Sequence, residues 1–400
     1  MNPKLFRLSM PLAAAMLGSC GGGALCPPQV PCGGAGPSYA EPAPVAVATP
    51  VRFAQIGLGQ SHSCMLTATG EAWCWGSNEY GQLGAATTQR CNDGMTDCSS
   101  TPLRVSGDLA FVSLAGSHHS SCALTAAGKA WCWGIGQLGD GQPTRKSVVP
   151  VAAAGDHSFS LLAVSLNNAT ACGLEADRSL WCWGGGLVGT LGPPASASPV
   201  RWDKAASVAW SQFSLGEQHA CGLDDQGQAW CIGSNLFGAL GNGAPAGSAG
   251  SAVPVPVAGG RVYREIVAGS MHTCALAVDG QAWCWGSGAP VGDAAPNGAS
   301  SRNVPVAVAG NLRFSQITSG WLTSCGLTAD GSAWCWGEFS QYVGDGTSGE
   351  RRPAPIAVTG GIKFRTIRAG GATCGIALDG TGYCWGDNTL GEVGTPSVGR

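Results

Sequence analysis

Fourteen cysteines of this chain fall in seven pairs with ten residues from one member to the next: Cys64 and Cys74, Cys122 and Cys132, Cys172 and Cys182, Cys221 and Cys231, Cys274 and Cys284, Cys325 and Cys335, Cys374 and Cys384. Successive pairs are separated by 58, 50, 49, 53, 51 and 49 residues. A period near fifty in a text of short apolar runs and turns is the mark of a propeller or a related array. With 64 Gly and 24 Pro in 400 residues, long helices are excluded. The apolar fraction of 44% is ordinary, so the chain has enough to build a core.

Each pair sits in a hairpin. Runs such as Cys274-Ala-Leu and Ala282-Trp-Cys-Trp flank a turn whose last residue needs a left-handed conformation, and Gly70, Gly128, Gly227, Gly280, Gly331 and Gly380 occupy that place. The third copy has Arg178 there, which implies strain or a different loop. Centring the turn sets Cys64 opposite Cys74 at a pair that exchanges no backbone hydrogen bonds, where Cα atoms approach to about 4.5 Å. That is disulfide reach. The rest of each repeat supplies a Pro-led stretch (Pro44–Val47, Pro102–Val105, Pro254–Val257, Pro305–Val308, Pro355–Val358) and one with aromatic and aliphatic residues three apart (Phe53 and Ile56, Phe314 and Ile317). Four strands per copy predict an all-β, seven-bladed β-propeller of four-stranded antiparallel blades. The last copy lacks a Pro-led strand while the first begins with one, so N- and C-terminal strands should close the ring together.

The text Gly-x-x-His-x-Cys-x-Leu, then Trp-Cys-Trp-Gly-x-Asn-x-x-Gly-x-Leu-Gly, as in residues 59–84, resembles the repeat of the regulator of chromosome condensation (RCC1) family. The resemblance covers residues 44–394 and implies a seven-bladed propeller. The founding member exchanges guanine nucleotide on a small nuclear GTPase and sits on chromatin. No exchange activity is expected here, because this chain reads as exported, disulfide-rich and acidic.

Residues 1–19 carry Lys4 and Arg7 followed by an apolar stretch, the form of a secretory signal peptide. Leu17-Gly18-Ser19-Cys20 resembles the lipobox of bacterial lipoproteins, which makes Cys20 the expected lipidation site and residues 20–43 a Gly/Pro-rich tether. The propeller is expected over 44–394, in repeats 44–101, 102–149, 150–198, 199–253, 254–304, 305–354 and 355–394, with a tail at 395–400. With Cys20 lipidated, eighteen of the 19 cysteines remain. They divide into the seven hairpin pairs, Cys91 with Cys98, and Cys26 with Cys32. Such a chain belongs in an oxidising compartment, here the bacterial cell envelope, anchored by lipid to the outer membrane or the cell surface.

Zinc would want cysteines two to four residues apart, so no metal or other cofactor is expected; calcium through Asp93 and Asp97 would have too few fixed oxygens. His62, His219 and His272 share a place that holds Ser120, Thr170, Thr323 or Ala372 in the other copies, and read as structural. In five copies tryptophans flank the second cysteine (Trp73 and Trp75, Trp131 and Trp133, Trp181 and Trp183, Trp283 and Trp285, Trp334 and Trp336) and read as inter-blade core, leaving only Trp202, Trp210 and Trp321 for carbohydrate. No nucleophile elbow, phosphate loop or metalloprotease helix occurs. A formal charge of −3 gives nucleic acid no attraction. The copies differ most over Ala85–Ser100, Gly243–Ala252, Ala289–Asn303 and Phe339–Arg352. The last joins Phe339, Tyr342, Arg351 and Arg352, a composition suited to a protein interface. The expected function is that of a monomeric, non-enzymatic scaffold binding a protein partner through its loops. The alternative is an enzyme or carbohydrate binder at the central mouth, which three or more carboxylates or histidines converging on one rim would favour; a channel lined by Gly, Ser and Ala would favour the scaffold.

Overall fold

The computed structural model describes residues 40–92, 94–166, 170–186, 192–193, 195–295 and 301–396. Cys20, Cys26 and Cys32, with the signal and tether, lie outside the described residues. Within them the chain forms seven antiparallel sheets, six of four strands and one of five. Blade 1 is typical: inner strand Phe53–Leu58, then His62–Thr67, Ala72–Ser77 and outer strand Thr96–Arg104. Its extra strand is the two-residue Arg90–Cys91.

The hairpins follow from their turns. Thr67 N–H donates to the Glu71 carbonyl (3.0 Å) around Gly70, whose φ is +87°. Arg178 adopts the same turn at φ +69°, so the third blade keeps the common loop and bears the left-handed strain. Cys64 pairs with Cys74 in register. All seven ten-spaced pairs form bridges with Cα atoms 4.1 Å apart, and Cys91–Cys98 closes at 5.8 Å.

Ring closure uses both ends of the domain. The strand Ala40–Ala46 pairs antiparallel with Gly382–Asp387, completing blade 7. This outer strand starts ahead of the boundary placed at residue 44, because Ala40 and Glu41 already pair with Asp387 and Gly386 before a bulge. Blades are offset by one strand from the sequence repeats: each begins at the aromatic strand and ends at the Pro-led one, where a missing N–H is harmless on a sheet edge.

Seven equivalent cores lie between blades. Each bridge packs on the two residues that flank the second cysteine of the following blade, a tryptophan pair in five blades, Trp230 with Ile232 in blade 4 and Tyr383 with Trp385 in blade 7: Cys64 and Cys74 pack on Trp131 and Trp133, and, across the closure, Cys374 and Cys384 on Trp73 and Trp75. The indole N–H of the inner tryptophan donates to a loop carbonyl of the preceding blade, as from Trp133 to Gln82 (2.9 Å), Trp285 to Ala239 (2.8 Å) and Trp75 to Glu392 (2.8 Å). The second Gly of Gly-x-Leu-Gly is required there. Gly84 has φ +68° and a Cβ on it would stand 2.9 Å from the Trp133 Nε1.

Inner strands present an unpaired edge to the channel, and in blades 5, 6 and 7 side chains of the preceding blade bond to it. Gln212 Oε1 accepts the N–H of Ile266 (2.7 Å), Glu265 Oε2 that of Ile317 (3.2 Å) and Gln316 Oε1 that of Ile367 (3.1 Å).

Candidate functional site

An antiparallel meander sends its connections alternately to the two ends of a sheet. The second-to-third turns and the blade-to-blade links therefore share one face, which is regular. The opposite face carries the inner-to-second loops and every third-to-outer connection. Among the described residues the four variable segments start in those third-to-outer connections and run into the outer strands, so the sequence differences between repeats collect toward one loop face.

The blade 6 connection holds the four residues singled out as an interface. Phe339 is 42% exposed and meets Tyr342 edge-on at 6.3 Å. Arg351 lies on the surface, its Nε 2.7 Å from Glu338. Tyr342 and Arg352 are turned inward. Burial pushes the Tyr342 phenol up to about 12, with Asp387 and Glu392 adding to it, and the Tyr342 carbonyl receives the Trp385 indole N–H (3.0 Å). Arg352 bonds Asp345 (2.7 Å) and Glu350 (2.9 Å) and so braces its own loop.

The channel mouth on this face is built by the inner-to-second loops. Gln60, His118, Leu166, Glu217, Met271 and Trp321 surround a recess of about 240 Å³. His118 stacks on His119 (3.8 Å), which meets Tyr80 edge-on (4.3 Å). Burial, then the neighbouring His118, holds His119 down to about 4. Glu217 accepts the Ser270 hydroxyl at 2.5 Å, a bond that ties two blades together. Glu79, Asp387 and Glu392 line an adjoining recess, and Glu392 is buried there with its carboxyl held well above the usual range by burial and then by Asp387. Carboxylates and histidines thus gather near one rim, the arrangement named for the alternative reading, although Glu217 and Glu392 are engaged in structural bonds. Repeat comparison pointed at the shared histidine place and missed these loop residues, which differ from blade to blade.

Two of the three tryptophans left open for carbohydrate are unavailable. Trp202 and Trp210 are each 3% exposed, packed in the core between blades 3 and 4. Trp321, 38% exposed, stands at the mouth. His62, His219 and His272 are buried, and each Nε2 meets a hydroxyl of the next blade: Ser121 (2.7 Å), Thr273 (2.8 Å) and Ser324 (2.8 Å). Asp97 pairs with Arg90 (2.9 Å), and Asp93 lies outside the described residues. Among the described residues no cluster of His, Cys, Asp or Glu is placed to hold a metal, and no helix is long and apolar enough to cross a membrane.

The model of the regulator of chromosome condensation (RCC1) repeat matches residues 53–82, 210–239, 263–289 and 314–342, and a second model of that description matches 69–124. The mitochondrial RCC1 domain-containing protein RUG3 of Arabidopsis thaliana is 34% identical over 94 residues, 24% of this chain and 20% of that protein. The ultraviolet-B receptor UVR8 of the same plant is 32% identical over 129 residues, 30% of this chain and 27% of its own. The chain therefore matches well under half the length of these relatives. Among solved structures, Prp20p of Saccharomyces cerevisiae aligns with a TM-score of 0.68 at 20% identity, covering 84% of this chain and 82% of that one. Human WBSCR16 aligns with 0.69 at 18% identity, covering 86% and 89%. Repeat matches, relatives and blade geometry agree: the chain carries RCC1 repeats and folds as a seven-bladed propeller.

Proposed function

We propose that this chain is an exported, lipid-anchored and non-enzymatic scaffold that binds a protein partner through its loop face, centred on blade 6. One observation carries the reading. The two exposed aromatic rings of the loop face, Trp321 and Phe339, belong to the same blade, which also places Arg351 on the surface. Aromatic rings and arginine in one patch are the residues that anchor protein interfaces. Support comes also from the rigid frame behind them: a bridge in every blade and a ring closed by Ala40–Ala46 let the loops differ while the fold persists. Propellers of this fold have been solved in protein complexes, as in yeast RCC1 bound to Kap60.

Export and anchoring rest on the signal-like residues 1–19 and on Cys20, and eight bridges fit an oxidising compartment. Replacing Cys20 by Ala should release the chain from membranes into the aqueous phase of a detergent partition. For the interface, a photoreactive side chain at 339 should crosslink a partner in intact cells, while one at Val278 on the opposite face should not. Equal crosslinking from both faces would refute the assignment.

A further inference from the structure

In every blade the inner-strand residue paired with the first cysteine of the hairpin flanks the channel. Six of these positions hold Gly57, Ala115, Ala163, Ser214, Val267 and Thr318. The seventh is Arg368, paired with Cys374. Small residues at the other six leave a cavity of about 390 Å³, walled by apolar residues such as Leu58, Leu161, Val164 and Leu215, into which Arg368 faces together with Glu265. Glu265 occupies another repeated register, opposite Leu276, where three copies have Gln and the rest Ser, Leu or Thr.

The arginine is in an unusual state. Its Nη1 is sealed from solvent and has no hydrogen-bond partner. Glu265 lines the same cavity but forms no ion pair with it; one oxygen, Oε2, receives the Ile317 N–H (3.2 Å). Arg368 as a whole is half-buried, but a guanidinium nitrogen shut away from water with no hydrogen-bond partner is costly to keep. Burial lowers the Arg368 pKa and raises that of Glu265, and the charge of each opposes the shift in the other. A lone anion would meet the guanidinium but also the carboxylate. A molecule carrying both charges answers each.

We infer that the channel binds a small amphoteric ligand of the α-amino acid class, its carboxylate on Arg368, its ammonium toward Glu265 and its apolar part along the leucine and valine wall. The volume suits a ligand of that size. Leu166 borders both this cavity and the mouth recess beside Trp321, so the two spaces adjoin and the mouth is the entrance. The inference stands apart from the loop-face reading, since it concerns the channel interior and needs no protein partner.

Titration calorimetry of the full oxidised chain with a matched set of probes tests it: L-leucine, which has both charges; 4-methylpentanoate, which lacks the amine; and isopentylamine, which lacks the acid. Leucine is expected to bind at least about tenfold more tightly than either half-probe. Arg368→Met should abolish binding of leucine and of the acid, and Glu265→Gln should bring leucine down to the affinity of the acid. Equal binding of leucine and 4-methylpentanoate, unaffected by Glu265→Gln, would overturn the amphoteric assignment. No binding of any probe at millimolar concentration, or binding undiminished in Arg368→Met, would show a channel filled by water only and overturn the site. Should Arg368→Met not fold, the probe contrast on the unaltered chain decides alone.

Discussion

Acid should loosen this propeller through three histidines. His62, His219 and His272 are each 1% exposed, and burial holds their pKa values down to about 3, about 4 and about 3 against an ordinary 6.5. For His62 the neighbouring His118 and His119 add to burial, and for His272 the ring of His219 does. The folded values lie below the unfolded one, so the unfolded chain takes up protons first as pH falls. Stability is therefore full above about pH 6.5 and declines below it until the folded values are reached. At about pH 5 each ring lowers stability by about 2 kcal/mol, and the three together by about 6 kcal/mol. The perturbation is the triple substitution His62→Thr, His219→Thr and His272→Thr, since two other copies carry Thr170 and Thr323 at this place. Urea unfolding followed by tryptophan fluorescence at about pH 8 and about pH 5 gives the acid loss of each protein. Comparing the two losses cancels the carboxyl groups, including Glu265 and Glu392, whose raised values act in the opposite sense. The unaltered chain should lose about 6 kcal/mol more than the triple variant. Equal losses would refute the buried neutral state of these rings, whatever the baseline cost of the substitutions.

Three further outcomes follow from the packing. Gly344→Ala places a Cβ 2.7 Å from the Trp385 Nε1 at φ +78°, while Gly349→Ala at φ +94° meets nothing within 4 Å; the first should cost roughly 3 kcal/mol and the second roughly 1 kcal/mol in urea unfolding. Removing one bridge by Cys221→Ala with Cys231→Ala should cost at most roughly 3 kcal/mol, and peptide mapping without reduction should recover the other bridges unchanged. Arg352→Ala leaves the Asp345 carboxylate, 3% exposed, without its guanidinium and should cost roughly 2–3 kcal/mol, whereas Phe339→Ala should stay within roughly 0.5 kcal/mol and affect only crosslinking to a partner.

Much of the fold was legible because it is local and repeated. Ten-residue cysteine spacing in all seven copies, a turn glycine in six and Trp-Cys-Trp in five define the hairpins within a dozen residues each, and their repetition defines the ring. At Arg178 the sequence leaves strain or a different loop open, and the structure keeps the common loop with a left-handed arginine. The displaced Pro-led strand likewise revealed that the ends close one blade. What escaped was whatever depends on neighbours distant in sequence. Trp202 and Trp210 take the places that hold Val105 and Phe111 one blade boundary earlier, and they are buried once blades 3 and 4 pack together. Arg352 differs: its partners Asp345 and Glu350 lie seven and two residues before it, and the irregular fold of the blade 6 loop, not sequence distance, hides the pairing. Arg368 and Glu265 look like ordinary charged strand residues, two blades apart. Hairpin energetics act between residues about ten apart, so one sequence carries them. Which charges share a channel is decided only when seven separate strands converge on one axis.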